Sequence, residues 1–221
     1  MTMTMRGFLF MSLSYDLSEL DHYLSVTEEY LVWARADFEE KSQEALKKMP
    51  LEELDDFGED WGELSWRYSQ VFPRLLRRSF LVTAVSVFEC NMGQMCKQLE
   101  REKKLPIGLS DLKGDLAERW GKFLKLAQIP VSFTATTWQE LTNISMVRNC
   151  IMHNDGLFEE FPQGPQLRAY AEQNSMVSTD TLQEEIAPTR EFCEKVIRTM
   201  KDFMQEFHDA CRSDSNLQPS G

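Results

Sequence analysis

Residues 79–96 form the stretch that most constrains how this chain can fold. Their sequence, SFLVTAVSVFECNMGQMC, is apolar on nearly every side of a helix. Pro73 suits the first turn of a helix over about 74–104, and Leu105-Pro106 stops it. A helix that is apolar all round lies buried among other helices. The sequence therefore predicts a long central helix inside a bundle.

The neighbouring segments repeat apolar residues at three- and four-residue spacing, which is typical of helices that bury one face. Start and stop signals at their ends come from Pro50, Ser110-Asp111, Thr136 or Thr137, and Gly156. Helices are predicted over about 15–49, 110–127, 138–153 and 189–211, with short ones within 51–66 and near 166–174.

The fold class that follows is an all-α helical bundle of about five to six helices. The 221 residues include only 10 Gly and 8 Pro, which argues against a β-sandwich. We expect a single helical domain over 15–211, preceded by an N-terminal extension at 1–14. The polar end of the chain, 212–221, is predicted to be a disordered tail.

Composition excludes several classes of protein. Apolar residues make up 42% of the chain, so a globular rather than a disordered protein is expected. There is no run of 18 apolar residues that would predict a membrane span, and the N-terminus lacks the pattern of a signal peptide. Five cysteines, an odd number without a CxxC pair, indicate reduced thiols and a cytoplasmic location.

Charge is distributed unevenly along the chain, whose net charge is −12. Residues 15–65 contain 16 acidic and 4 basic residues, whereas 66–128 contain 6 acidic and 12 basic residues. So acidic a protein repels nucleic acid in general, but a basic middle segment could hold an anionic substrate. The acidic stretches are otherwise interpreted as solvated helix faces.

Residues 148–153, RNCIMH, carry the candidate chemistry. Two cationic groups in an apolar helical segment are costly unless they have a function. Arg148 could hold a phosphate and stabilise charge on it, Asn149 could orient the histidine or donate to a phosphate oxygen, and His153 could move a proton. The structural alternatives are a salt-bridging arginine and a histidine that caps the helix or lies on the surface.

The two faces of this predicted helix suggest how a site could form. Leu141, Ile144, Val147 and Ile151 make one apolar stripe, while Met146, Asn149, Cys150 and His153 lie on a second side. Arg148 and His153 are five residues apart, or roughly 140° around the helix. Pairing of two chains about a two-fold axis would let each site use both chains, so a homodimer is expected.

Other candidate residues lie on the predicted central helix. Glu89 could orient Arg148 or His153, or it could pair with Arg78 for structural reasons. Arg74, Arg77 and Arg78 could line an RNA groove, or they could be a solvated helix end. The three histidines lie far apart without HxxxH, and there is no phosphate-binding Gly loop, so neither a metal nor a cofactor is expected.

The signature Arg-Asn-x-x-x-His, within VRNCIMHNDG on a late helix, resembles the HEPN superfamily, in particular its small bacterial ribonuclease and toxin proteins. FPRLLRRSFLVTAVSVFE resembles their long second helix, and LKGDLAERWGKFLKLAQIP and EFCEKVIRTMKDFMQEF also fit. The resemblance covers about residues 70–210.

This resemblance implies a metal-independent endoribonuclease that acts as a homodimer, often as a toxin or an anti-phage abortive-infection effector. The RNA 2′-hydroxyl would attack the adjacent phosphate and leave a 2′,3′-cyclic phosphate, with Arg148, Asn149 and His153 as catalytic residues. A cognate antitoxin or sensor protein would be a partner. The alternatives are a non-catalytic dimeric HEPN-like module that recognises a nucleotide or a partner protein, and an acidic, antitoxin-like mimic of nucleic acid.

Overall fold

The computed structural model describes residues 5–50, 61–114, 116–131, 136–178 and 184–215. This part of the chain contains six α-helices of ten residues or more and one small antiparallel hairpin. The helices are α1 (Met5–Leu46), α2 (Phe72–Lys103), α3 (Leu116–Leu126), α4 (Thr136–Asn154), α5 (Gly164–Gln173) and α6 (Arg190–Ser215). The strands are β1 (Val177–Ser178) and β2 (Glu185–Ile186). The predicted all-α bundle is confirmed.

The central helix predicted from the apolar run is α2. It packs against α1, α4 and α6, and a π-helical turn over Arg67–Val71 leads into it. The fully buried side chains of α2 include Phe80, Leu81, Phe88, Met92 and Leu99. Truncating a buried phenylalanine of this kind to alanine costs about 3–5 kcal/mol, so this helix anchors the core.

Helix α1 begins earlier than predicted. The helix was expected to start near residue 15, after an extension, but it starts at Met5 and ends at Leu46. Leu9 packs against the core, and Leu13 and Leu17 are fully buried at the same four-residue spacing. The apolar stripe that drives helix burial thus continues upstream of the predicted start.

Helix α3 begins later than predicted, because Ser110-Asp111 does not cap it. These residues lie in a 3-10 turn over Leu109–Asp111, where the Asp111 carboxylate accepts the backbone N–H of Gly108 at 2.9 Å. The side chain therefore turns back along the chain. Gly114 follows with φ +124°, a conformation that L side chains rarely adopt, and the α-helix starts only at Leu116.

Helix α4 ends as the sequence predicts. Asp155 and Gly156 both have positive φ, 51° and 80°, and the Gly156 N–H donates to the carbonyl of Cys150 at 3.1 Å. The chain then reaches α5 and the hairpin, in which Val177 pairs with Ile186. This hairpin was not predicted. The tail was predicted from 212, but α6 continues to Ser215, so that boundary is wrong. Residues 51–60, residues 132–135 of the predicted loop, and residues 216–221 lie outside the described residues.

The five cysteines are all free thiols within the described residues, as expected. Cys90 is exposed, and the other four are buried: Cys96, Cys150, Cys193 and Cys211. Burial raises the pKa of the Cys96 and Cys193 thiols to about 12 and that of Cys150 to about 11. Within the described ranges, no helix combines the length and the apolar character that crossing a membrane requires.

Candidate functional site

The candidate motif lies on the last turns of α4, and the burial pattern of this helix decides which side chains are accessible. Its buried residues recur at every third position: Trp138, Leu141, Ile144, Val147 and Cys150. The sequence interpretation that placed Cys150 on the other side is wrong, whereas Ile151, which it placed in this stripe, is partly buried and packs against the core. The stripe drifts around the helix because three residues turn through only about 300°. Cys150 is therefore a core residue and no nucleophile.

Arg148 is held by two neighbours. Its Nη2 lies 3.1 Å from Oε2 of Glu89 on α2, and its Nη1 donates to Oδ1 of Asn149 at 2.8 Å. Its Nε is buried without a hydrogen-bond partner among the described residues. Of the two alternatives for Glu89, the structure shows the contact with Arg148. Arg78 pairs with Glu185 instead. The guanidinium is thus fixed in direction before any ligand binds.

The Glu89 carboxylate lies beside an apolar cavity lined by residues such as Phe88, Trp120 and Met200. Burial raises the pKa of this carboxyl above its usual range, and the charge of Arg148 opposes the rise. The indole N–H of Trp120 is also buried and has no hydrogen-bond partner in the part of the chain that the structure describes. An ion pair between such walls interacts more strongly than one in water, because the local dielectric is lower.

His153 differs from Arg148 in every respect that matters for reactivity. Its side chain is exposed and has no hydrogen-bond or ion-pair partner among the described residues. It lies in the last turn of α4, next to Met152, which is 52% exposed. The predicted general acid or base is therefore accessible, but one chain does not bring it into contact with Arg148.

The predicted RNA-binding arginines form a network in which Arg74 and Arg78 share one carboxylate. The Nη2 of Arg78 lies 2.8 Å from Oε2 of Glu185, and Arg74 binds the other oxygen. Arg78 also donates to the carbonyl of Ile186, from Nη2 at 2.6 Å and from Nε at 3.0 Å. Arg78 is only 8% exposed, so its interpretation as part of a solvated helix end is wrong.

Arg77 pairs with a different buried acid. Its Nε and Nη2 lie 2.6 and 2.8 Å from the two carboxylate oxygens of Glu28 on α1. Glu28 is 3% exposed and Glu185 is 6% exposed, so neither belongs to the solvated acidic faces that the sequence suggested. Sequence reasoning missed both, since nothing distinguishes them from the acidic residues around them. RNA binding by Arg74, Arg77 and Arg78 stays a prediction.

Within the described residues, no group of three or more His, Cys, Asp or Glu side chains is arranged to hold a metal ion. Comparisons with protein-family models, with curated proteins and with solved structures found no match for this chain.

Proposed function

We propose that this chain is a HEPN-like endoribonuclease that cleaves RNA without a metal ion, using Arg148, Asn149 and His153. One observation carries the proposal: Arg148 is fixed by Glu89 and Asn149 on the same helix end that presents an exposed, unpaired His153. A preset cation stabilises charge as it develops on a phosphate, and a free imidazole can move protons.

The proposed reaction is a transesterification within the RNA strand. His153 takes the proton of a 2′-hydroxyl while the hydroxyl oxygen attacks the adjacent phosphorus. The bond from phosphorus to the 5′-oxygen breaks, and an imidazolium gives that oxygen a proton. The products are a 2′,3′-cyclic phosphate and a 5′-hydroxyl. The reaction needs no oxidant, reductant or metal ion. Arg148 stabilises the extra charge on the phosphate oxygens.

Asn149 fits a supporting role in this scheme. Its Oδ1 accepts a hydrogen bond from Arg148, so its amide N–H groups remain available as donors. A phosphate oxygen held by this amide would also face Arg148. Asn149 thus couples the position of the bound phosphate to that of the guanidinium.

A homodimer is part of the proposal, because Arg148 and His153 point to different sides of α4. A second copy placed against this helix would bring its own His153 and Arg148 to the same cleft. One imidazole then serves as base and the other as acid. The exposed Met152 beside His153 supplies apolar area for such a contact.

The biological setting that fits is a toxin or an anti-phage effector, restrained or triggered by a cognate antitoxin or sensor protein. This setting rests on the resemblance of the motif to small bacterial HEPN proteins. A nuclease that attacks RNA in its own cell must be held inactive until needed.

A second candidate function is a non-catalytic HEPN-like dimeric module that recognises a nucleotide or a partner protein. The Arg148–Glu89 ion pair favours it, because a guanidinium that already has a carboxylate partner can be purely structural. In that case His153 would be a surface residue with no effect on RNA.

The test is cleavage of total RNA by purified protein in the presence of EDTA. We expect His153→Ala to lose about 10²- to 10⁴-fold in rate, which is the range for removal of a general acid or base. His22→Ala is the matched control, since His22 is also exposed but lies on α1. Equal activity of both variants and the wild type would contradict the assignment of His153. Intact RNA with every protein would favour the binding module.

A further inference from the structure

A cavity of about 280 Å³ lies away from the candidate site, between the start of α2, the hairpin and the start of α6. Its walls carry polar and charged groups, among them Trp66, Ser69, Gln70, Arg74, Arg77 and Thr189. The volume suits a small ligand or one unit of a larger one. Two arginines in one cavity wall are suited to a negatively charged ligand.

Among the buried side chains next to this cavity, positive charge exceeds negative charge. Arg77 uses both oxygens of Glu28, whereas Arg74 has only a share of Glu185, whose other oxygen binds Arg78. Three guanidinium groups therefore meet two buried carboxylates. Asp155 also approaches Arg78, at 3.4 Å, but its side chain is 92% exposed, so this contact contributes little.

Arg74 lines the cavity and shares the Glu185 carboxylate with Arg78, so part of the excess positive charge lies at the cavity wall. The Nε of Arg74 is buried and has no hydrogen-bond partner among the described residues. This N–H is out of reach of solvent, so a ligand would contact the exposed part of the Arg74 side chain, which is 21% exposed. At the rim, the Glu191 carboxylate is bound to Thr189 and to backbone, and Arg190 pairs with Glu194 at 2.9 Å. Glu191, Arg190 and Glu194 do not line the cavity, and the Glu191 charge acts on Arg77 rather than on Arg74.

The same helical wall of the cavity offers an aromatic surface, about two turns before Arg74. Trp66 is 44% exposed, although it lies at the edge of a cavity that already buries other parts of the chain. An exposed indole face stacks well on a planar ring, and stacking of this kind tolerates every nucleobase. Between Trp66 and Arg74, the side-chain amide of Gln70 and the hydroxyl of Ser69 add hydrogen-bonding groups.

We propose that this cavity binds a nucleotide, with its phosphate at Arg74 and its base against Trp66. The nucleotide is either free or one residue of a single-stranded RNA. Both share the same chemistry, and the position allows both: Arg78, one turn after Arg74, contacts Asp155, which is two residues beyond His153. The cavity thus lies at the end of the bundle that presents the imidazole. The proposal does not require the cleavage activity proposed above.

The experiment is calorimetric titration of the full chain with adenosine 5′-monophosphate and, separately, with a single-stranded tetranucleotide in a 2′-deoxy form that cannot be cleaved by 2′-attack. Arg74→Gln leaves Glu185 paired with Arg78, so it does not strand the buried carboxylate. Trp66→Ala removes the stacking surface without touching any charge. Arg6→Gln is the control, because Arg6 pairs with Glu102 at 2.7 Å near the other end of α2.

We expect Arg74→Gln and Trp66→Ala each to weaken binding about tenfold or more, while Arg6→Gln leaves binding unchanged. Weaker binding of the mononucleotide by the two variants supports a free nucleotide as ligand. Weaker binding of the tetranucleotide alone supports an RNA strand. Binding that is equal in all four proteins, or absent in the wild type with both probes, overturns the proposal. Binding of the mononucleotide and cleavage of RNA are separate measurements, so failure of the ribonuclease proposal is recognised separately.

Discussion

The Nη2 of Arg148 on α4 lies 3.1 Å from Oε2 of Glu89 on α2, and this ion pair joins the candidate motif to the central helix of the bundle. The two residues are 59 positions apart in the chain. The pair sets the direction of the guanidinium, so a change at Glu89 should act on the proposed site through Arg148.

The first prediction concerns the pH dependence of stability at Glu89. Burial raises the pKa of this carboxyl, so the folded protein holds the proton more tightly than the unfolded chain does. Ionisation therefore costs stability as the pH rises from the unfolded pKa, near 4.5, through the folded value. Glu89→Gln removes this cost and keeps an acceptor for Arg148. We expect the Tm of the variant, relative to wild type, to rise between pH 4 and pH 7.

Thermal unfolding followed by circular dichroism at several pH values measures this difference. Asp37→Asn is a suitable control, since Asp37 is a carboxylate in an i,i+4 surface pair with Lys41. A Tm difference for Glu89→Gln that falls over the same pH range would mean that the Arg148 charge, rather than burial, dominates at Glu89.

The second prediction concerns the carboxylate shared by Arg74 and Arg78. Glu185→Ala would leave both guanidinium groups without their partner, and breaking a buried pair in this way costs about 3–5 kcal/mol. Asp155→Asn, which removes the exposed charge near Arg78 and still tolerates the positive φ of this position, should cost less than about 0.5 kcal/mol. Urea unfolding of the two variants gives the comparison. Similar costs for both would mean that Glu185 is not the residue that holds the hairpin to α2.

The third prediction concerns Gly156, which ends α4 with φ +80°. A Cβ at this position would lie 2.6 Å from Nη2 of Arg78, besides straining the backbone. We expect Gly156→Ala to lower the free energy of unfolding by about 1–2 kcal/mol. Gly93→Ala should raise it by roughly 0.8–1 kcal/mol, because that glycine is inside α2 with open space around it. If chemical denaturation gives both variants a change of the same sign in the free energy of unfolding, this prediction is contradicted.

The fourth prediction concerns assembly. If two copies pair through the outer side of α4, Met152→Glu should convert the dimer to a monomer and abolish cleavage, because the new charge would be buried between the chains. Tyr30→Glu tests an exposed apolar surface on α1, where Tyr30 is 63% exposed. Light scattering coupled to size-exclusion chromatography reports the mass. Dissociation by Tyr30→Glu alone would place the interface on α1 instead.

The sequence was sufficient for features that depend on neighbours in the chain. The central helix followed from the apolar run within 79–96, and the end of α4 followed from Gly156. Hydrophobic periodicity and glycine conformation act within a few residues, so they can be read directly. The late start of α3 shows the limit of this reasoning, because the Asp111 carboxylate bonded backwards, to Gly108.

Contacts between distant residues could not be predicted in the same way. Arg77 and Glu28 are 49 positions apart, and Arg74 and Glu185 are 111 apart. Each acid lies among others of equal charge, and only the packing of the helices selects one of them for burial. The hairpin has two residues in each strand, and Ile186 also donates its N–H to the carbonyl of Gly156, so its formation depends on the fold around it.

The unequal exposure of the thiols has a practical consequence. A maleimide reagent should modify the native chain at Cys90 alone, because the four other sulfur atoms are buried. Since Cys90 follows Glu89 on α2, the attached spin label or dye would lie beside the ion pair with Arg148. Two labelled copies related by a two-fold axis would then give a single label-to-label separation, and half of it would be the distance of the label from that axis, without any engineered cysteine.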